Sequence, residues 1–203
     1  MLRRLLLGTL LGGVLAFAWS SVSHLVLPLG EAGVRTLPHE AVVLDALRTN
    51  IKQPGLYIFP GDGFGDGATP AQRQAWEQRY RTGPAGILVF RPVGGIPLSP
   101  MQLLVELGAD LLCAGIGAWA VCRTEAFWRR LLVVTLLGLF AWLSIDVSYW
   151  NWYGFPTPYL LASLVDQVGG FLLAGLAIAW IVRPPTLTRA QRAERAARAT
   201  ADA

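Results

Sequence analysis

The sequence predicts an all-α membrane protein: four transmembrane helices, with a small extracytoplasmic α/β cap between helices 1 and 2. Two observations predict this fold class. Hydrophobic residues make up 54% of the 203 residues and charged residues only 15%, whereas a soluble domain carries roughly a quarter charged residues. Four apolar stretches are each long enough to cross a hydrocarbon core, which takes about 20 helical residues. The composition excludes a disordered chain and a disulfide-stabilised secreted domain, and it argues against a soluble enzyme.

The four spans are bounded by residues that are typical of helix ends. Pro28 follows the first span, Ser99 and Pro100 form an N-cap pattern before the second, and Pro184 follows the fourth. The predicted spans are residues 5–27, 101–122, 131–149 and 158–182. The chain is therefore divided into transmembrane helix 1 (1–27), the cap (28–100), transmembrane helices 2–4 (101–182) and a basic tail (183–203).

The first span also has features of a secretory signal peptide. Arg3 and Arg4 precede the apolar run, and the sequence AFA at residues 16–18 could serve as a cleavage motif. The apolar run, however, continues past this motif to Leu27. We therefore interpret the segment as a signal anchor that is retained as the first transmembrane helix.

The positions of the basic residues predict that both termini are cytoplasmic. With the N-terminus inside, ten of the 17 basic residues lie on the cytoplasmic side, and the short outer loop at residues 150–157 has none. This distribution follows the positive-inside rule. The sequence therefore predicts a multi-pass protein of the bacterial inner membrane with both ends in the cytoplasm.

Two groups of residues are predicted to contact lipid headgroups or a partner protein. Trp150 and Trp152 belong to a set of aromatic residues at the outer interface, where an amphipathic ring is stable at headgroup level. The second group lies in the cytoplasmic tail, which is predicted to form a short helix, and consists of Arg183, Arg189, Arg192, Arg195 and Arg198. Each basic residue near an anionic lipid surface contributes on the order of 1 kcal/mol to binding.

The cap is predicted to have the order helix–strand–helix–strand. Apolar spacing predicts a helix over residues 38–51 and a strand, GLYIFP, over 55–60. Thr69 and Pro70 begin a second helix that reaches Tyr80, and GILVFR at 86–91 is a second strand. A unit of roughly 70 residues has a marginal core. We therefore expect the cap to lean on the membrane helices or on a partner.

The loop GDGFGDG within the cap was tested as a metal site. Asp62 and Asp66 could offer oxygen atoms to calcium. A calcium loop of the EF-hand type needs more carboxylates at alternating positions and a closing glutamate. The sequence therefore favours a flexible turn at this loop.

Five ionisable residues and one glutamine lie inside the predicted spans, where such groups are costly and mark functional sites. They are His24, Glu106, Asp110, Asp146, Asp166 and Gln167. The ionisable ones lie within about ten residues of the outer ends of their spans, so at roughly 1.5 Å per residue they share the outer half of the membrane. We find no lysine or arginine inside any predicted span. The carboxyl groups are therefore expected to be protonated, reached by water, paired with basic residues of the cap, or hydrogen-bonded to groups such as His24, Ser144, Ser148 or Ser163.

Three interpretations of this intramembrane polar cluster stay open. It forms a satisfied polar layer that orients the helices and anchors the cap, or it is a site that handles protons or ions. In the third interpretation it contacts a second protein or a lipid headgroup. The sequence favours the first of these.

The histidine and cysteine positions argue against a metal centre and a haem. His24 and His39 are the only histidines, and neither belongs to an H-E-x-x-H or H-x-x-E-H pattern. Cys113 and Cys122 are nine residues apart on one helix, about half a turn apart in angle, so they do not pair or share a metal. No catalytic residue, metal site or cofactor is predicted.

Small residues recur every four positions in two spans. Gly8, Gly12 and Ala16 have this spacing in the first span. The same spacing relates Gly170 to Ala174 and Gly175 to Ala179 in the fourth. Such faces allow membrane helices to approach closely. They serve either internal packing or assembly with other subunits.

Several segments resemble a widespread group of small bacterial inner-membrane proteins that has no assigned activity. The segments are WSSVSHLVLPLGEAG from Trp19, LPHEAVV, PGLYIFPG, GPAGILVF and SPMQLLVELGADLL, all within residues 19–112. The resemblance implies a bacterial inner membrane and a cap on membrane helices. It implies no catalytic residues, and no site assignment rests on it.

Taken together, these features predict a non-catalytic accessory or scaffold subunit of a larger membrane complex. Its expected partners are membrane lipids and other integral membrane subunits, and no feature resembles a nucleic-acid module. The main alternative is a small ion- or proton-linked transporter that uses the carboxyl groups of the outer half. A membrane enzyme that uses His24, Glu31 or His39 near the outer surface is the least favoured reading.

Overall fold

A computed structural model describes residues 1–61, 65 and 67–184 of the chain. Within them it has six helices and two strands: α1 (Leu2–Leu25), α2 (Glu40–Asn50), β1 (Gly55–Phe59), α3 (Pro70–Thr82), β2 (Gly86–Phe90), α4 (Pro100–Val121), α5 (Phe127–Tyr153) and α6 (Thr157–Ile181). Four of these helices, α1, α4, α5 and α6, are long and apolar enough to cross a membrane. The prediction of four membrane-length helices is therefore confirmed.

The structure corrects the bounds of two predicted spans. The third begins at Phe127 and ends at Tyr153, so it is four residues longer at each end than predicted. Gly154 ends α5 in the left-handed conformation, with φ of 71°, which a residue without a Cβ adopts at low cost. The predicted outer loop at residues 150–157 therefore shrinks to 154–156. The first span ends at Leu25 instead of Leu27.

Capping residues explain where α3 and α4 begin. The hydroxyl of Thr69 accepts a hydrogen bond from the backbone N–H of Gln72, whose side chain accepts one from the Thr69 N–H. Ser99 and Gln102 form the same reciprocal pair before α4. In both helices a proline occupies the first turn, where its missing N–H costs nothing.

The four long helices run antiparallel in chain order, and α1 and α6 form the middle of the bundle. α1 packs between α4 and α6, and α6 packs between α1 and α5, while α4 contacts α5 and α6 only lightly. Glycines permit the close approach of α1: a Cβ on Gly12 would lie 3.1 Å from the Ile178 side chain, and one on Gly13 would lie 2.7 Å from Leu111. We call the end where α1 ends and α4 begins the cap end, and the opposite end the termini end.

The small residues that recur every four positions pack inside this chain. The buried ones are Gly8, Gly12, Gly170, Ala174, Gly175 and Ala179. The largest buried apolar cluster lies on the termini side of the bundle and includes Ala118, Val121, Val134, Ile178 and Val182. The bundle is therefore most tightly packed toward the termini end.

The segment between α1 and α4 has the helix–strand–helix–strand order that the sequence predicts. β1 and β2 form an antiparallel two-stranded sheet in which Gly55 pairs with Phe90 and Phe59 with Gly86. Trp76 ties α3 to the end of β1 by donating a hydrogen bond from Nε1 to the Pro60 carbonyl, at 2.9 Å. Among the described residues of this segment only Phe90 is buried, so its core is as small as expected.

Some sequence predictions fall outside the described residues. These are the proposed turn at Asp62 and Asp66 and the tail arginines Arg189, Arg192, Arg195 and Arg198. Arg183 is described. Its Nε donates to the Trp180 carbonyl at 2.8 Å, and its own carbonyl accepts from Nη1 of Arg4 at 2.9 Å.

Candidate functional site

The residues of the predicted intramembrane polar cluster all line two adjoining cavities between the long helices. The small chamber has a volume of about 90 Å³ and the large chamber about 480 Å³. Ser20, Glu106, Asp166 and Gln167 line both chambers. We call the two chambers together the polar cavity. The structure thus brings together residues that the sequence could place only at a similar depth.

Each wall of the polar cavity follows from helical spacing. Ser20 and His24 are four residues apart on α1, and Glu106 and Asp110 are four apart on α4, so each pair lies on one helix face. Asp110 lines the small chamber and His24 the large one. Asp146 supplies the wall from α5. All four long helices therefore contribute to one site.

A chain of hydrogen bonds joins α6 to α1 at this site. The hydroxyl of Ser23, which is fully buried, donates to Oδ1 of Asp166. Nδ1 of His24 lies 2.9 Å from the Ser23 oxygen and 3.0 Å from the Ser20 carbonyl oxygen. Because a carbonyl oxygen only accepts hydrogen bonds, this geometry assigns a proton to Nδ1 of His24. His24, Ser23 and Asp166 therefore form a continuous chain.

Trp19 holds Asp166 in place from the same side. Its Nε1 donates to the main-chain carbonyl of Asp166 at 3.0 Å. The indole ring lies against Gly169, where an added Cβ would be 2.8 Å from Cε2 of the ring. Trp19 and Ser23 are site residues that were not predicted from the sequence. The signal that could have indicated them is the glycine pair at 169–170, which leaves room for a large side chain from a neighbouring helix.

The remaining acids differ in their surroundings. Asp146 is only 7% exposed and its carboxyl group interacts with the hydroxyl of Ser163. Oδ2 of Asp110 is buried and has no hydrogen-bond partner among the described residues. Glu106 is exposed at the side of α4. The acids of the cluster are therefore not equivalent, and Asp110 is the one whose carboxyl group is left incompletely bonded.

All three hydroxyl groups suggested by the sequence donate to carbonyls of their own helices, Ser163 to that of Leu160 at 3.0 Å. Ser144 donates to the Ala141 carbonyl at 3.1 Å, and Ser148 donates to the Ser144 carbonyl at 3.1 Å. A serine in a helix interior often bonds the preceding turn in this way. Asp166 is bonded by Ser23, which was not among the expected partners.

The polar cavity lies at the cap end of the bundle and is closed toward the termini end. The lining of the large chamber includes Leu29, Gly30 and Leu98, which lie in the connections outside the helices. Beyond the small chamber, Ala118 and Ile178 belong to the buried apolar cluster. Within the described part of the chain, no lysine or arginine lines either chamber.

Arginines do lie within two of the long helices, which corrects the prediction that none lies inside a span: Arg3 and Arg4 are in the first turn of α1, and α5 contains a second pair. The first turn of α5 includes Arg129 and Arg130, and Arg130 is only 3% exposed. Its guanidinium group donates to the Ala179 carbonyl from Nε and Nη2, at 3.0 and 2.7 Å. Nη1 donates to the carbonyls of Thr124 and Glu125, at 2.7 and 2.6 Å. Arg130 is therefore a structural link at the termini end, far from the polar cavity.

Of the residues predicted to contact lipid or a partner, the described ones are Trp150 and Trp152 at the end of α5 and Arg183 just after α6. Trp152 is exposed, and Nε1 of Trp150 donates to the hydroxyl of Thr157 at 3.3 Å. No group of three histidine, cysteine, aspartate or glutamate residues in the described ranges is arranged to hold a metal ion. Cys113 and Cys122 are free thiols.

The four membrane-length helices define the class of the protein, which is a multi-pass integral membrane protein. Comparisons with protein-family models, curated proteins and solved structures find no match.

Proposed function

We propose that the chain is a proton-linked membrane protein that takes up protons from the outer side into the polar cavity. The observation that carries this proposal is the convergence of four carboxyl groups and His24 on one cavity that has no basic residue in its described lining. Chains of acidic residues and histidine inside a membrane protein are typical of proton relays.

Protons are the favoured ligand because they neutralise the acids one by one. A carboxylate that is moved out of water without a counter-charge takes up a proton instead of staying ionised. Asp110 has one oxygen without a hydrogen-bond partner among the described residues, and a proton on this carboxyl group removes its charge. The described residues offer no three-ligand metal arrangement, which favours protons over a metal ion.

The closed end supports uptake from one side. Ala114 and Ala174 line the small chamber, and both belong to the buried apolar cluster that continues toward the termini end. In this arrangement the cavity is reached from the cap end. The state therefore corresponds to the outward-open form of a proton-linked protein.

The test is proton uptake by vesicles that contain the purified full chain and an entrapped pH-sensitive dye, with the membrane potential clamped. We expect Asp110→Asn and Asp166→Asn each to slow uptake at least about tenfold, a modest share of what a positioned proton-transfer group contributes. Asp45→Asn, which changes an exposed acid of α2, is the matched control and keeps the wild-type rate. Equal rates for the wild type and both cavity variants would contradict the proposal.

A second function, that of an accessory or scaffold subunit, is favoured by the exposed face of α4. Val105 and Leu112 are exposed on one side of α4, and Glu106, which is also exposed, lies roughly 100° around the helix from them, at the polar cavity. An exposed carboxyl group inside a membrane is costly, and another subunit that covers this part of α4 removes the cost. On this proposal the chain co-purifies with a membrane partner in mild detergent. The Glu106→Ala variant should lose this partner, and the Glu40→Ala variant in α2 should keep it. Purification of the wild-type chain as a monomer from the native host's membranes would contradict the proposal.

We further propose that the protein lies in a bacterial inner membrane, with residues 26–99 on the outer side and both termini in the cytoplasm. The distribution of arginines supports this orientation, and the tail arginines then face the anionic inner leaflet. In a variant without Cys113 and Cys122, a cysteine at Lys52 should react with an impermeant maleimide in intact cells. A cysteine at Ala126 should react only after the cells are opened, and the reverse pattern would overturn the orientation.

A further inference from the structure

The hydrogen-bond chain at the mouth of the polar cavity suggests a route by which protons reach it. We propose that Ser23 is a relay residue that passes protons between His24 and Asp166. This inference rests on the proposed proton-linked function and adds to it the entry route and the residue that the route requires.

The position of Ser23 fits a relay. It is fully buried, and its hydroxyl lies between Oδ1 of Asp166 and Nδ1 of His24. A hydroxyl group has one proton to donate and two lone pairs that accept. It can therefore accept from His24 and donate to Asp166 at the same time. His24 is exposed at the large chamber, so the other nitrogen of its ring is the end of the chain that water reaches.

The transfer step balances without any other reactant. It starts with His24 as an imidazolium, protonated on both nitrogens, and with Asp166 as a carboxylate. The O–H bond of Ser23 breaks as its proton forms a new O–H bond on Oδ1 of Asp166. The N–H bond at Nδ1 of His24 breaks as that proton replaces the one that Ser23 lost. The products are neutral imidazole, an intact serine hydroxyl and the carboxylic acid of Asp166.

A second acceptor allows the serine to reset. After a transfer the hydroxyl proton of Ser23 lies on the His24 side. The Ser23 oxygen is also 3.0 Å from the Ser20 carbonyl oxygen, which can accept this proton while the hydroxyl turns back toward Asp166.

Asp166 is surrounded by further titratable groups on every helix that packs near it. α4 presents Glu106, Asp110 and Cys113, α5 presents Asp146, and α6 itself presents Tyr159. His24 of α1 is the one imidazole in the described lining. A proton that arrives on Asp166 therefore has carboxyl neighbours that can accept it, and the hydrogen-bonded route from α1 to Asp166 runs from this imidazole through Ser23.

The alternative is that Ser23 only joins α1 to α6. Trp19 already makes such a link to Asp166, at 3.0 Å. A structural role and a relay role differ in how Ser23→Ala combines with loss of the imidazole. If Ser23 acts only by connecting His24 to Asp166, then removing it after His24 has gone costs nothing more, so the two effects are not additive.

The experiment measures proton uptake in dye-loaded vesicles for Ser23→Ala, His24→Gln and the double variant. We expect each single variant to slow uptake about tenfold, within the range of a positioned proton-transfer group, and the double variant to be no slower than either. Ser23→Thr, which keeps the hydroxyl, should retain most of the rate. The matched control is Ser144→Ala, because Ser144 is in the lining of neither chamber and its hydroxyl donates to the Ala141 carbonyl, at 3.1 Å.

The outcomes separate the relay from the function on which it rests. If the wild type takes up protons and Ser23→Ala does so at the same rate, the relay is wrong and the proposed function stands. A roughly hundredfold loss in the double variant, the product of two independent effects, would also overturn the relay. If wild-type vesicles take up no more protons than Asp110→Asn vesicles, the proposed function itself fails and the relay falls with it. Thermal unfolding of each variant in detergent identifies any loss that comes from misfolding, and Ser23→Gly, which also lacks the hydroxyl, then replaces Ser23→Ala in the comparison.

Discussion

Replacing Arg130 by methionine should destabilise the bundle more than any other loss of a single arginine among the described residues. Arg130 is buried, and its guanidinium group donates to the carbonyl of Ala179 on α6 and to those of Thr124 and Glu125 between α4 and α5. Ala179 lies in the last turn of α6, where carbonyl groups lack partners within the helix. A positive charge at this end also interacts favourably with the helix dipole.

The magnitude follows from these bonds. A hydrogen bond to a charged group contributes about 1.5–3 kcal/mol, and Arg130 bonds two separate sites. Methionine has a similar length but donates to neither, so we expect the free energy of unfolding to fall by about 3 kcal/mol, near the lower end of the cost of breaking a buried charged contact. For Arg130→Lys the free energy of unfolding should fall by about half as much, because one ammonium group cannot donate to all the carbonyls that the planar guanidinium reaches.

The assay is unfolding in mild detergent, followed by helix content as a denaturing detergent is added. Arg129→Met is the matched control, since Arg129 is the neighbouring residue, is exposed, and changes the charge of α5 by the same amount. The reasoning is refuted if Arg129→Met and Arg130→Met unfold at the same detergent concentration. A loss specific to Arg130 would show that its bonds, and not the charge of the helix end, stabilise the fold.

Two further predictions concern the contact between α1 and α6. Trp19→Phe removes the hydrogen bond to the Asp166 carbonyl and should cost about 1 kcal/mol, measured by the same unfolding assay, while Trp180→Phe at an exposed position should have little effect. Gly169→Ala places a methyl group against the Trp19 ring and should cost about 1–3 kcal/mol from overpacking. Gly108→Ala, where a Cβ meets nothing within 4 Å, should be neutral or slightly stabilising, and equal effects at the two glycines would contradict this account of the contact.

Much of the architecture follows from local sequence features. Span length and hydropathy predict the four long helices, and the two capping boxes predict the first residues of α3 and α4 within one position. The end of α5 was mispredicted because residues 150–153 were assigned to an interfacial loop. The chain stays helical through Tyr153 and leaves the helical conformation at Gly154. Aromatic residues at an interface thus indicate depth, but they do not indicate where a helix ends.

The depth of the polar cluster was predictable, but its pairwise contacts were not. Counting residues from a span end gives a height along the helix, and all six predicted residues do line one polar cavity. Rotation about the helix axis and the choice of neighbour depend on side-chain packing between helices. For this reason Ser23 and Trp19, which are ordinary residues in an apolar span, were missed as partners of Asp166.

Residues that recur every four positions line both the closed end of the bundle and the polar cavity. Residues four apart form ridges on a helix surface, and such ridges pack between neighbouring helices. Each long helix has one such row from the termini end to the cap end: Gly8, Gly12, Ala16, Ser20 and His24 on α1; Ala118, Ala114, Asp110, Glu106 and Gln102 on α4; Arg130, Val134, Gly138, Trp142 and Asp146 on α5; Val182, Ile178, Ala174, Gly170 and Asp166 at the end of and within α6. In the rows of α1, α4 and α6, small or apolar residues lie toward the termini end and polar ones toward the cap end. On the proposed proton-linked function, a proton on Asp110 has Ala114 and Ala118 next to it on the same ridge. Gly12 of α1 lies against both Ala114 and Ile178 at this level, so passage across the whole bundle would require α1 to separate from α4 and α6 there.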